Sequence, residues 1–236
     1  MIGIFDSGVG GFAALSKLRE LRPRVDVAYL ADRKNAPYGT KSISELERLV
    51  LRDIDILRAM GAEKILAACC TACSVIDRLD TTLTKGVTTI IKPAARAAVK
   101  KTENGKIAVI CTDATAKSQA FESELKRLMP DIEVKTKPSA RLVELAECGA
   151  RDSRLDKSEL DIIRSELSPL LDFGADTVIL GCTHFSLLKH SISGCLNADF
   201  VSAADEGASL LAASLKNEGV GGITYTCPEK LSVFSV

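Results

Sequence analysis

The sequence predicts an α/β fold built from two similar halves with mainly parallel sheets. The main observation is a gapless internal repeat in the 236 residues. Gly-Ala-Glu-Lys-Ile-Leu-Ala-Ala-Cys at 61–69 returns as Gly-Ala-Asp-Thr-Val-Ile-Leu-Gly-Cys at 174–182, placing Cys69 opposite Cys182. Each copy follows an amphipathic helical stretch and runs through an apolar strand to its cysteine. Throughout the chain, strand patterns alternate with helical ones, which argues for parallel sheets with helices packed on them. Two equivalent cysteines at two equivalent strand ends suggest two half-sites that face each other.

Taken in order, residues 2–5 read as a buried strand ended by Asp-Ser-Gly-Val-Gly-Gly. Leu15, Leu18 and Leu21 mark the helix that follows, and 25–31 the next strand. Pro37 and Gly39 make 32–39 a loop. Ser42 and Glu45 have capping-box spacing ahead of a helix striped by Ile43, Leu46, Val50, Ile54 and Leu57. Gly61 stands where a helix C-terminal glycine belongs, and the strand 65–69 follows. A strand at 87–91, a helix at 93–100 and a strand at 106–111 come next. Thr112 to Thr115 reads as a loop leading to one helix over 116–128. A short strand at 133–135 and a helix at 142–148 precede the second copy, whose stripe is Leu160, Ile163, Leu167 and Leu170 and whose strand is 178–181. The tail, a helix over 205–216 and a strand over 223–226, returns to the first half. The resulting halves are 1–93 with 205–236, and 94–204.

Composition removes several function classes. Lys plus Arg and Asp plus Glu both number 31, so no basic stripe points to nucleic acid or a membrane surface. Aromatics make up 4% and there is no Trp, which disfavours base-stacking platforms. No apolar run approaches the roughly 20 residues that span a bilayer. Eight cysteines in a chain of this length without a secretion signal read as intracellular thiols, and the expected location is cytoplasmic.

In open parallel sheets, ligands sit outside the carboxyl ends of the strands. That rule selects Asp6, Ser7, Asp32 to Gly39, Cys69 to Thr71, Thr112 to Thr115, and Cys182 to His184. A metal cage is a poor fit, because the only Cys-x-x-Cys, Cys70 to Cys73, has no second pair. Most of Cys111, Cys148, Cys195 and Cys227 read as small core residues. A pair of thiol bases explains the repeat better. Inverting a stereocentre by proton transfer needs one group to take the α-proton and another to return a proton on the opposite face. Free thiols have a pKa of about 8.5, so both need help. Asp6 can orient or deprotonate one, and His184 can serve the other as proton shuttle or charge partner. The glycine loop lacks the full dinucleotide or P-loop pattern, and its N–H groups suit a carboxylate. No Lys stands in a Schiff-base context.

Ile-Gly-Ile-Phe-Asp-Ser-Gly-Val-Gly-Gly (2–11), Ala-Pro-Tyr-Gly-Thr-Lys-Ser (36–42) and Ile-Leu-Gly-Cys-Thr-His-Phe (179–185) together closely resemble glutamate racemase. A weaker Thr-Tyr-Thr-Cys-Pro-Glu follows at 224–229. The resemblance implies two pseudo-symmetric α/β domains with the active site in the cleft between them. It also implies a cofactor-independent two-base racemase interconverting L- and D-glutamate, the D-isomer going to bacterial peptidoglycan. By position, Cys69 and Cys182 correspond to the bases, and Asp6 and His184 to their assistants. Ser7, Pro37, Tyr38, Gly39, Thr71 and Thr183, with Thr112 and Thr115, correspond to substrate-binding positions. Asp32 and Glu147 fall where the family carries acidic residues in secondary roles. No metal or cofactor is implied; a homodimer is, since family members are often dimers.

One position departs from the family. Its Cys-Asn-Thr-Ala stands here as Cys69-Cys70-Thr71-Ala72. A thiol is a weaker hydrogen-bond partner than an amide. The expectation is therefore reduced activity, a compensating neighbour or an altered substrate such as aspartate or a related acid. A regulatory or binding homologue is the remaining alternative.

Overall fold

A computed structural model describes residues 1–215 and 219–227. Lys216 of the expected tail helix, Pro228 and Glu229 of the last motif, and the rest of the tail lie outside the described residues. The first half opens with β1 (Ile2–Asp6), α1 (Phe12–Leu21), β2 (Val27–Ala31), α2 (Ile43–Ala59), β3 (Lys64–Ala67), α3 (Cys70–Ile76) and β4 (Val87–Thr89). Next come α4 (Ile91–Lys101), β5 (Lys106–Cys111), α5 (Asp113–Ser118), α6 (Ala120–Leu128), β6 (Glu133–Pro138), α7 (Ala140–Glu147) and α8 (Lys157–Leu171). The chain continues through β7 (Thr177–Gly181), α9 (Lys189–Ser193), β8 (Asp199–Ser202), α10 (Ala203–Ala213) and β9 (Ile223–Thr226).

All pairings are parallel and form two sheets, ordered β4-β3-β1-β2-β9 and β6-β5-β7-β8. Reversing the second gives β8-β7-β5-β6, the same order as β4-β3-β1-β2. The internal repeat thus has a structural basis: β1 and β5 are the equivalent central strands, and the repeated segments are their neighbours β3 and β7. β9 is an extra strand added beside β2, with Val27 opposite Ile223.

Period-two alternation divides the core. Ile107, Val109, Ile179 and Val201 face the large cluster that also holds the first sheet, whereas Ala108, Ile110, Val178 and Leu180 face a second cluster with α7 and α8. The large cluster is continuous between the sheets through α4 and α10. The buried face of α10 is made of small residues, Ala203, Ala204, Gly207 and Ala208, with Leu211. A Cβ on Gly207 would meet Ile90 Cβ at 2.9 Å, so this helix approaches its neighbour closely only because the glycine is bare.

Several element boundaries differ from the sequence reading. The single helix expected over 116–128 is two, because Gln119 adopts φ 55° between α5 and α6. The expected loop from Thr112 to Thr115 is the cap and first turn of α5, with Thr112 Oγ1 accepting from Thr115 N at 3.2 Å. Ile90 and Ile91 leave the expected strand for the start of α4, where Pro93 sits in the first turn and loses no helical hydrogen bond. The tail helix begins at Ala203, earlier than expected, because Ser202 caps Asp205 N. The four-residue β8 escapes the reading because two of its residues are not buried and no apolar run marks it. Cys148 is exposed rather than in the core, standing at the C-terminal cap of α7. Among the described residues, no helix is long and apolar enough to cross a membrane.

Candidate active site

The carboxyl ends of both sheets open onto one cavity of about 480 Å³. Its lining comes from both halves: Ser7 after β1, Ala36 to Thr40 after β2, Cys69 to Thr71 after β3, and Thr112 and Asp113 after β5. Ala140, Val143, Glu144 and Glu147 from α7, with Cys182, Thr183 and His184 after β7, complete it. This is the placement expected for ligands in parallel sheets. No Lys or Arg is among these lining residues. A substrate carboxylate there would be held by hydroxyls and backbone N–H groups.

Cys69 and Cys182 occupy equivalent positions. Each is the extended residue that caps the helical turn after its strand, and each is 6% exposed. Their partners differ. The Cys182 sulfur lies 3.5 Å from His184 Nδ1, and His184 Nε2 makes a short contact with Glu147. The Cys69 sulfur lies 3.8 Å from Ser7 Oγ. Asp6, fully buried behind Ser7, accepts from Thr183 Oγ1 at 3.2 Å, a bond from the first half to the second.

Burial pushes the Cys69 thiol up, and the charge of Asp6 pushes it further. Burial also raises Asp6, against the opposing pull of His184. For His184, burial works against protonation, but the hydrogen bond and charge of Cys182, then Glu147 and Asp6, hold it well above the usual imidazole range. Glu147 is lowered chiefly by its hydrogen bond to His184.

Next to Cys69 lies a triangle of hydroxyls. Thr71 Oγ1 is 2.9 Å from Thr112 Oγ1 and 3.3 Å from Thr115 Oγ1, and Thr112 donates to Thr115 at 2.9 Å. Thr115 lies behind the other two and does not line the cavity. Cys70, the first residue of α3, is buried on the lining, and burial pushes its thiol up. Among the described residues, no cluster of His, Cys, Asp and Glu could hold a metal ion.

Asp32 stands apart from the cavity. It lies buried at the end of β2, bonded to Asn35, Tyr38 and Arg52 beneath the loop that follows. That loop contains a cis Ala36-Pro37 peptide and forms one wall. Arg52 and Asp53 beneath this loop, and Glu144 of α7 on the cavity lining, were not selected from sequence. Asp53 did leave a signal: it is an acid on the buried face of α2, between Val50 and Leu57.

Two glycines make the loop after β1 possible. A Cβ on Gly10 would overlap the Thr183 side chain and meet His184 N at 2.8 Å; one on Gly11 would meet Tyr29 Oη at 2.6 Å. The first of these contacts is the seam between the halves.

Comparison with known proteins identifies the family. The Asp/Glu/Hydantoin racemase family profile matches residues 16–211. A glutamate racemase of Geobacter metallireducens is 36% identical over 218 residues, covering 91% of this chain and 80% of the relative. Among solved structures, a glutamate racemase isoform of Bacillus anthracis superposes with a TM-score of 0.87 at 30% identity, over 96% of this chain and 87% of that one. The Thermus thermophilus glutamate racemase, solved with β-chloro-D-alanine, gives 0.84 at 32% identity, over 97% and 89%. The chain belongs to the Asp/Glu/Hydantoin racemase family, among its glutamate racemases.

Proposed function

We propose that the cavity racemises glutamate by a two-base proton transfer between Cys69 and Cys182, without a cofactor. The observation that carries this reading is the placement of two cysteines, from equivalent strand ends, on one cavity. One sulfur, as thiolate, takes the α-proton; the C–H electron pair passes to the α-carbon and its carboxylate. The other thiol then protonates that carbon on the opposite face, and the charge has moved from one sulfur to the other. General acid–base help of this kind is worth about 10²–10⁴-fold per group.

His184 is placed to take and return the Cys182 proton, with Glu147 holding the ring from its other nitrogen. Asp6, raised by burial, is suited to accept a proton on the Cys69 side, with Ser7 orienting the sulfur. Ser7, Thr71, Thr112 and Thr183 with the loop Pro37, Tyr38 and Gly39 supply the polar contacts to the substrate, and Thr115 braces the two threonines before it. Asp32 acts through the loop. The reading includes 1–93 with 205–236 and 94–204 as the two domains, a cytoplasmic enzyme, D-glutamate supplied to bacterial peptidoglycan, and a homodimer. Light scattering of the purified chain tests the last point.

Incubation with L-glutamate in heavy water tests the chemistry. Optical rotation should decay while deuterium enters the α-position. A folded protein that leaves both unchanged at millimolar substrate would sink the proposal. Exchange with aspartate but not glutamate would instead assign it to the sister specificity.

A further inference from the structure

The phenol of Tyr38 lies between two buried carboxylates. Its oxygen is 2.7 Å from Asp32 Oδ2 and 2.8 Å from Asp53 Oδ2, and all three residues are at most 1% exposed. A phenol has one proton, so it can donate to only one of them. If both acids were ionised, the second contact would press a phenol lone pair against a carboxylate oxygen. One more proton is needed to close the array.

Counting donors assigns that proton. Asp32 Oδ2 already accepts from Arg52 and, at 3.0 Å, from Asn35. Asp53 Oδ1 accepts twice from Arg52, at 2.7 and 3.1 Å, but among the described residues Asp53 Oδ2 faces only the phenol. Charge agrees that one of the two acids is protonated. Among the described residues Arg52 on α2 is the cation bonded to the array, against Asp32 from the end of β2 and Asp53 from α2, so a single proton leaves the group neutral. The chain then reads Asp53 O–H to Tyr38 O–H to the Asp32 carboxylate.

Tyr38 also belongs to the wall of the cavity, and a Cβ on the next residue, Gly39, would stand 3.3 Å from Thr112 across the cleft. The array therefore sits under the segment that reaches over to the second half.

We propose that Asp53 is a positioning residue: it carries the proton that completes the hydrogen bonds of Tyr38 and so fixes residues 36–40 as the substrate wall. Burial, followed by the competing pull of Arg52, leaves the Asp53 carboxyl raised to about 6. The folded chain holds this proton more tightly than the unfolded chain, so the contribution is present in acid and is lost as pH rises through that value. The effect on catalysis rests on the racemase reading; the protonation of Asp53 does not.

Asp53→Asn supplies a permanent N–H donor to the phenol and keeps an oxygen for Arg52. Asp53→Leu removes both. In the wild type, KM should rise as pH rises through the titration of Asp53, with kcat changing less. Asp53→Asn should hold a low KM across that range, and Asp53→Leu, if folded by circular dichroism, should raise it about tenfold at every pH. An Asp53→Asn profile identical to the wild type would overturn the positioning role. Infrared difference spectra need no turnover: in acid, the wild type should show a protonated carboxyl stretch that is absent from Asp53→Asn. A missing band would overturn the proton assignment. If no amino acid is turned over while the band is present, the racemase reading fails and the protonated Asp53 stands.

Discussion

The Cys182 sulfur lies 3.5 Å from Nδ1 of His184, whose second nitrogen is held by Glu147. This chain of three groups makes the second half-site different from the first, where Cys69 meets Ser7 and lies near Asp6.

Removing the imidazole should therefore damage the reaction without unfolding the protein. His184→Asn is expected to lower kcat about 10²–10⁴-fold, with a smaller change in KM. Glu147→Gln weakens the charged hydrogen bond by which Glu147 raises His184, so the alkaline limb of the kcat profile should move to lower pH. The sign also holds for stability. A group raised on folding contributes stability fully below its unfolded pKa, about 6.5 here, and loses it as pH rises through the folded value. Thermal melts across that range should show a steeper alkaline decline in the wild type than in His184→Asn.

Cys69→Ser and Cys182→Ser should each reduce racemisation by at least about 10³-fold, and the double variant should lose little more, because the two sulfurs act as one unit. Steady-state rates for the three variants check this. Multiplying losses would count against a shared two-base step.

Placing an amide at position 70 tests the departure that the resemblance implies there. Cys70 lines the cavity beside Cys69. A regained hydrogen bond to a charged head group is worth about 1.5–3 kcal/mol, so Cys70→Asn should lower KM for glutamate by roughly ten- to a hundredfold. An unchanged KM, with turnover of another acid favoured by the wild type, would show instead that the thiol belongs to a different specificity.

Gly10→Ala should be among the most harmful single-atom additions. Its methyl would occupy space held by Thr183 and backbone of His184, at the seam that also carries the Thr183 bond to Asp6. Overpacking of this kind costs about 1–3 kcal/mol, which should appear as a Tm lowered by several degrees together with lost activity. Gly105→Ala is the informative control. A Cβ there meets nothing within 4 Å, although its φ of 75° still carries backbone strain. It should cost stability while leaving kcat in place.

The parts of the fold that were legible in sequence have local causes. Cys69 and Cys182 could be paired because both copies keep the same strand and turn spacing, and β3 and β7 indeed stand beside the equivalent central strands. Tyr38 could be placed in a loop from its neighbours Pro37 and Gly39. What it bonds to could not, because Asp53 lies on another element and its acid character among Val50, Ile54 and Leu57 acquires meaning only with Tyr38 in place. The Asp6 to Thr183 bond spans 177 residues and follows from how the halves dock. The break at Gln119 is carried by one left-handed residue that is not glycine. β8, with four residues, has too little pattern to separate it from a turn.

The pairing of Val27 with Ile223 has a consequence for how the chain is made. The ribosome releases β1 to β4 first and β9 only after the whole second sheet. The first half is thus the first synthesised and the last completed, and until residue 223 emerges β2 presents an open edge to other chains. A nascent chain arrested after β8 should be prone to aggregate through that edge, while its second sheet is already whole.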